Sequence, residues 1–204
     1  MTTTLASRHS TALALIAPVV AGIGREQLDL PTPCTGWDLR RLLSHLIGQQ
    51  YGFAAAARGH GDRPGVFADH PLIDSPTVAF TALAAFADSA RELVDAFAAA
   101  ELSDRAVALP EILPGHPFPP AQAIAFHLLD TVVHGWDLAA ALGQPFHCPD
   151  DLGEVVLQVA RAVPVDPAFR APGRAFAPAR TLVELLPPLD RALLLLGRDP
   201  YWLA

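Results

Sequence analysis

The segment from Pro120 to Leu142 constrains this chain most, because it is apolar nearly all round yet carries three chemistry-bearing side chains on one stripe. At ~100° per residue, His127, Asp130 and His134 share a narrow face with Ala123, Leu138 and Ala141. The remaining faces hold Phe126, Leu128, Leu129, Val132, Val133 and Trp136. A helix that is hydrophobic all round is a buried one. A carboxylate between two imidazoles must then find partners in the interior, because an unpaired buried charge is strongly unfavourable. A metal ion is one partner that satisfies all three.

Asp130 and His134 stand four residues apart, so their Cβ atoms lie roughly 5–6 Å from each other on a helix. Such a pair can reach one ion but supplies only two ligands. The third must come from another helix, and His45 is the best candidate. It sits at the border of the stripe formed by Leu42, Leu43, Leu46 and Ile47, where a ligand faces inward and stays near a cleft. His127 is open to two readings, a fourth ligand or a group bonded to the ligands. Taken alone, Asp130 and His134 read equally well as a buried ion pair. His9, His60, His70, His116 and His147 are expected in tails or loops, solvated. Cys34 precedes the second helix, where the dipole would stabilise a thiolate, although a small buried loop residue is the commoner outcome. No glycine-rich phosphate loop, Gly-x-Ser-x-Gly elbow or His-Glu-x-x-His sequence is present.

The rest of the chain reads as Ala/Leu-rich helices separated by Pro/Gly/Asp clusters. Helices are expected over 8–22 with Pro18 as a kink, 35–57, 75–100, 120–142, 150–162 and 189–196. Thr35 and Asp38 suggest a capping box for the second, and Ser75-Pro76 a start for the third. Residues 104–120 suggest a small strand or hairpin. Residues 164–181, rich in Pro and Arg, suggest a strap over the bundle. Gly135 is expected to mark close helix packing, and Trp37 and Trp136 to be core. The fold class is therefore all-α, with 1–204 as a single domain.

Composition excludes several classes of function. The net charge is -7, and the 14 basic residues are all scattered Arg, with Arg40–Arg41 the one adjacent pair. Nucleic acid needs a positive stripe that is missing here. Two cysteines make no disulfide framework and point to a reducing, cytoplasmic setting. The apolar stretch from Thr11 to Gly24 has only Val19-Val20-Ala21 as a poor cleavage site and is too short to span a bilayer. It reads as the first helix, and no membrane partner is expected.

Thr32-Pro-Cys-Thr-Gly-Trp-Asp-Leu-Arg-Arg-Leu-Leu-Ser-His-Leu-Ile-Gly48 resembles the signature of the DinB-like superfamily. The branch it most resembles is related to the N-terminal domain of mycothiol-dependent maleylpyruvate isomerases. His127-Leu-Leu-Asp-Thr-Val-Val-His-Gly-Trp-Asp-Leu-Ala139 is similar to that family's second signature, and Leu189 to Pro200 to the end of its short members. The resemblance implies a DinB/YfiT-like four-helix bundle holding a divalent metal, often zinc or nickel. It places the family's helix-two histidine on His45, its Glu or His ligand on Asp130 and its last histidine on His134. Asp for Glu shortens that ligand by one methylene. The isomerases carry a further C-terminal domain for which this chain has no room, so isomerase activity itself is not expected to carry over.

The leading expectation is a metal-dependent enzyme that presents a low-molecular-weight thiol such as mycothiol to a small electrophile. The thiol and the small-molecule substrate are its expected partners, and a homodimer is left open. The rival readings are a non-catalytic metal-binding sensor or interaction module, and a metal-free bundle in which Asp130 pairs with His134.

Overall fold

The computed structural model describes residues 3–171 and 175–203. Six α-helices organise them: α1 (Leu5–Ala21), α2 (Leu39–Ala57), α3 (Val78–Glu101), α4 (Pro120–Ala141), α5 (Asp150–Ala162) and α6 (Pro188–Leu195). No strand forms among the described residues. Helices α1 to α4 pack as a bundle in which α1 lies against α3 and α4, and α2 against α3 and α4. Helix α5 packs on α4, and α6 on α5. No helix among the described residues is long and apolar enough to cross a membrane.

The helices form where the apolar periodicity places them, and their ends are set by local hydrogen bonding. Helix α1 starts a turn earlier than expected because the Thr4 side chain accepts from the Ser7 N–H, satisfying an otherwise unpaired donor. It continues through Pro18 to Ala21, and the Gly22 N–H closes it on the Pro18 and Val19 carbonyls. For α2 the expected cap is wrong. Cys34 to Trp37 folds into a turn with the Trp37 N–H on the Cys34 carbonyl, and Pro31 and Asp38 form an isolated antiparallel bridge. That turn leaves Thr35 exposed, and Asp38 itself caps the helix by accepting from the Arg41 N–H at 2.8 Å. Helix α3 begins at Val78, after Ser75 and Pro76 have been used in a turn.

The hairpin expected over 104–120 reduces to one bridge between Val107 and Phe118, with both residues and Leu109 buried against α2, α3 and α4. The strap lies beside α5 and α6. Arg170 is its anchor, donating to the carbonyls of Pro164, Ala177 and Leu195 at 2.8, 3.0 and 3.0 Å. Residues 172–174 of that stretch lie outside the described residues.

Helix α4 is the centre of the molecule, buried on nearly every face from Ala123 to Ala141. Its approach to α1 depends on Gly135, where a Cβ would fall 2.2 Å from Cγ2 of the fully buried Ile16. Gly135→Ala should therefore destabilise the protein by ~1–2 kcal/mol, overpacking outweighing a helix-propensity gain of about 1 kcal/mol. Urea unfolding of Gly135→Ala combined with Ile16→Ala should show less loss than the sum of the single changes. Strict additivity would mean that the two side chains do not compete for the same space.

Candidate metal centre

His45, Asp130 and His134 come together between α2 and α4, with one ligand atom of each within 4.8 Å of the others. Antiparallel packing of two amphipathic faces makes this juxtaposition. Leu42, Leu43, Leu46 and Ile47 bury α2 in the core, which carries His45, at their border, to face the polar stripe of α4. His134 is buried, whereas the His45 and Asp130 side chains retain 20% and 27% exposure. The three donors thus sit at the border of the core, where solvent still reaches two of them.

Each histidine is oriented by a carboxylate on Nδ1. His134 Nδ1 lies 2.9 Å from Asp137 Oδ2, and its Nε2 faces Asp130 Oδ1 at 3.4 Å. His45 Nδ1 lies 3.1 Å from Asp69 Oδ1. Asp69 is delivered by the loop after α2, which is fastened to that helix at two points. Ser44 bonds the His70 backbone through both its hydroxyl and its carbonyl. At Gly48 the Ala68 carbonyl approaches so closely that a Cβ would lie 2.4 Å from its oxygen. A carboxylate on Nδ1 fixes the tautomer and leaves Nε2 bare as a donor.

Asp137 is itself fully buried and held by Arg198, whose Nε and terminal nitrogen donate to it at 2.9 and 2.8 Å. Trp37 completes the wall, its ring stacked on His134 at 6.3 Å and edge-on to His45 at 4.8 Å. It is half-buried at the site rather than in the core, with the Arg41 guanidinium over its ring. Trp136 is core, packed among α5 and α6 residues.

The electrostatics follow from these contacts. Burial alone would lower the His134 pKa, but Asp130 and then Asp137 outweigh it and raise the group to about 9. Burial works the opposite way on Asp130, yet His134, with smaller help from His45 and His127, holds its carboxyl far below the usual range. Asp137 is likewise lowered, because Arg198 and His134 overcome its burial. One oxygen of Asp130, Oδ2, is buried with no hydrogen-bond partner.

His127 joins a different network. Its Nδ1 meets His9 Nε2 at 2.8 Å and Thr131 Oγ1 at 3.0 Å. It is not among the three donors that converge. His9 is fully buried on α1, which corrects its expected place in a solvated tail: the helix begins at Leu5 and turns His9 inward against Phe97 and His127. Burial pushes the His127 pKa down to about 4 and lowers that of His9 as well. Cys34 lies beside His134 and Asp137, but burial, partly offset by Arg198, raises its thiol to about 11. Burial therefore works against the thiolate that a helix dipole would favour. With Asp137 committed to Arg198 and His134, that second trio is a poor set of ligands.

Residues 9–139 match the mycothiol maleylpyruvate isomerase N-terminal domain family. The chain belongs to this family. All of the α1 to α4 bundle but the first turn of α1 and the last two residues of α4 falls within the match, including all three converging donors, whereas α5, α6 and Arg198 fall outside it. Two uncharacterized proteins of Mycobacterium tuberculosis, one from strain CDC 1551 / Oshkosh and one from strain ATCC 25618 / H37Rv, are each 31% identical to it over 191 residues. The alignments cover 93% of this chain and 95% of each relative. No solved structure matches it.

Asp137 and Arg198 escaped the reading of the sequence, although the Asp three residues after His134 was a visible signal. They form a buried ion pair, so removing one partner strands the other charge in the interior. Asp137→Ala should cost about 3–5 kcal/mol by urea unfolding, and Arg180→Ala, which breaks an exposed pair with Asp199, about 0–1 kcal/mol. Equal losses would contradict the burial argument.

Proposed function

We propose that this member of the family binds one divalent metal ion through His45, Asp130 and His134, and uses it to activate a low-molecular-weight thiol for attack on a small electrophile. The observation that carries the reading is the convergence of three donors whose two imidazoles are each oriented by a carboxylate. The spacing supports it. Donors ~2.1 Å from a tetrahedral ion stand about 3.4 Å apart, and His134 Nε2 and Asp130 Oδ1 are 3.4 Å apart. A charge-assisted hydrogen bond closes to roughly 2.7–2.9 Å. The buried, unpartnered Asp130 Oδ2 is a second sign that the carboxylate lacks a partner. The donor set of two imidazoles and one carboxylate suits zinc, and imidazole also suits nickel.

When bound, the ion supplies a Lewis-acid position at which a thiol ionises near neutral pH. The chain's own residues do the rest. Asp137 and Asp69 hold the two imidazoles, Asp130 contributes the negative charge that offsets the ion, and Trp37 packs against both imidazole rings. Three protein donors leave a position for an exogenous ligand. Family membership points to mycothiol as the thiol, which would approach from the solvent-exposed side of His45 and Asp130.

Elemental analysis should find one divalent ion per chain, with His45→Ala and His134→Ala each losing most of it. Asp130→Asn should weaken binding far more than His127→Gln, because His127 is turned toward His9. The reverse ranking would overturn the assignment of ligands. In a cobalt-substituted sample, adding mycothiol or a simpler thiol should produce a thiolate-to-cobalt charge-transfer band that His45→Ala abolishes. A spectrum indifferent to millimolar thiol would leave a metal protein without thiol chemistry, such as a sensor or an interaction module.

The raised pKa of His134 sets the pH dependence. In the metal-free protein His134 keeps its proton up to about pH 9, so a metal arriving at neutral pH must displace it. Affinity should therefore rise about tenfold per pH unit toward pH 9 and flatten above it. Calorimetry in buffers of different ionisation enthalpy should record about one proton released per ion at pH 7. No proton release would place the metal elsewhere.

A further inference from the structure

We infer that Arg198, from the turn after α6, is a positioning residue for the metal site, so that the C-terminal segment beyond the family match is part of that site. The inference rests on the metal-binding reading above. Its geometry is a relay of two contacts. Arg198 spans both carboxylate oxygens of Asp137, with Nε at 2.9 Å from Oδ1 and 3.1 Å from Oδ2 and a terminal nitrogen at 2.8 Å from Oδ2. Asp137 Oδ2 is also the atom that meets His134 Nδ1 at 2.9 Å.

A carboxylate gripped at both oxygens by a rigid guanidinium has one orientation available, since the planar fork matches the carboxylate plane. Asp137 is fully buried and Arg198 is 6% exposed, so water cannot substitute for either. The orientation of Asp137 sets that of the His134 ring, and the ring sets where Nε2 points. Nothing in α4 alone could do this. Asp137 is three residues from His134 on the same helix and would swing freely about χ2 without an anchor from another element.

The anchor arrives from far along the chain. The Arg198 N–H bonds the Leu193 carbonyl at 2.9 Å, which closes α6 and aims the side chain back at α4. The last helices therefore complete the site as well as cover the bundle. A second buried arginine gives the contrast. Arg170 fastens the same C-terminal region through backbone carbonyls, including Leu195 on α6, and makes no recorded bond to Asp137.

The test compares Arg198→Met with Arg170→Met in the full-length protein. Zinc affinity is measured by competition with a chromophoric chelator, and the His134 Nδ1–H resonance is followed by NMR in the metal-free protein. Loss of an outer partner of a metal ligand typically weakens binding about 10–100-fold, and Arg198→Met should do so. Its His134 Nδ1–H should also exchange rapidly with solvent. Arg170→Met should lower stability while leaving affinity within about threefold and the resonance protected. Arg198→Lys, which keeps the cation and loses the fork, should recover only part of the affinity. If Arg198→Met does not fold, Arg198→Lys decides, and wild-type affinity with a protected proton in that variant overturns the inference. So does equal weakening by Arg170→Met, which would assign Arg198 a purely structural role. Wild-type protein that binds no zinc defeats the metal reading instead, and the NMR comparison still tests whether Arg198 orients His134.

Discussion

A carboxylate with no exposure to water, Asp137 on α4, is the interaction on which the site depends. Its negative charge is tolerable in the interior only because Arg198 and His134 both donate to it. That arrangement ties the central helix, with its His134 imidazole, to the turn that ends α6. Buried ion pairs are weak evidence for stability, because desolvation offsets much of the attraction. What this pair contributes is orientation. A leucine pair of similar volume would fill the same space, but it would leave His134 Nδ1 with nothing to face.

Two imidazoles on α4 show how partner chemistry decides a histidine's role. His127 and His134 stand seven residues apart on the same buried stripe. His127 meets another imidazole and a hydroxyl, and burial then keeps it neutral. His134 meets two carboxylates, which reverse the effect of the same burial. The first arrangement stitches α1 to α4 beneath Phe53 and Phe97. The second makes a polar centre at the border of the core, beside the partly exposed His45 and Asp130. Position on the helix does not distinguish them.

The bundle was legible because its signals are local and redundant. The all-α class, the six helices and the packing role of Gly135 follow from apolar periodicity and punctuation, which need only neighbouring residues. Helix ends were less legible where a longer-range contact overrode the local one. Thr35 looks like a cap in isolation, but the Pro31–Asp38 bridge draws the chain out and passes the role to Asp38. The convergence of His45, Asp130 and His134 was legible from the stripe on α4 and the resemblance of the two motifs. Their supporting groups were not. Asp69 depends on a loop folding back on Gly48, His9 on where α1 starts and Arg198 on a chain reversal after α6. Each is a tertiary event that no spacing rule encodes.

The charges at the site admit one further step. Asp130 and Asp137 flank His134 on either side, at 3.4 and 2.9 Å, and Arg198 neutralises only the latter. The remaining negative charge, on the partly exposed Asp130, calls for a cation beside it. In the metal-free protein the proton on His134 is that cation, which is why its pKa rises although the ring is buried. On the metal-binding reading proposed above, a divalent ion held by His45, Asp130 and His134 would answer the same demand with greater charge, and proton and metal would compete for one place. On that reading His134 would balance Asp130 without a metal and would have to give up its proton for a metal to load. The two roles would use opposite sides of the ring, Nδ1 facing Asp137 and Nε2 facing Asp130.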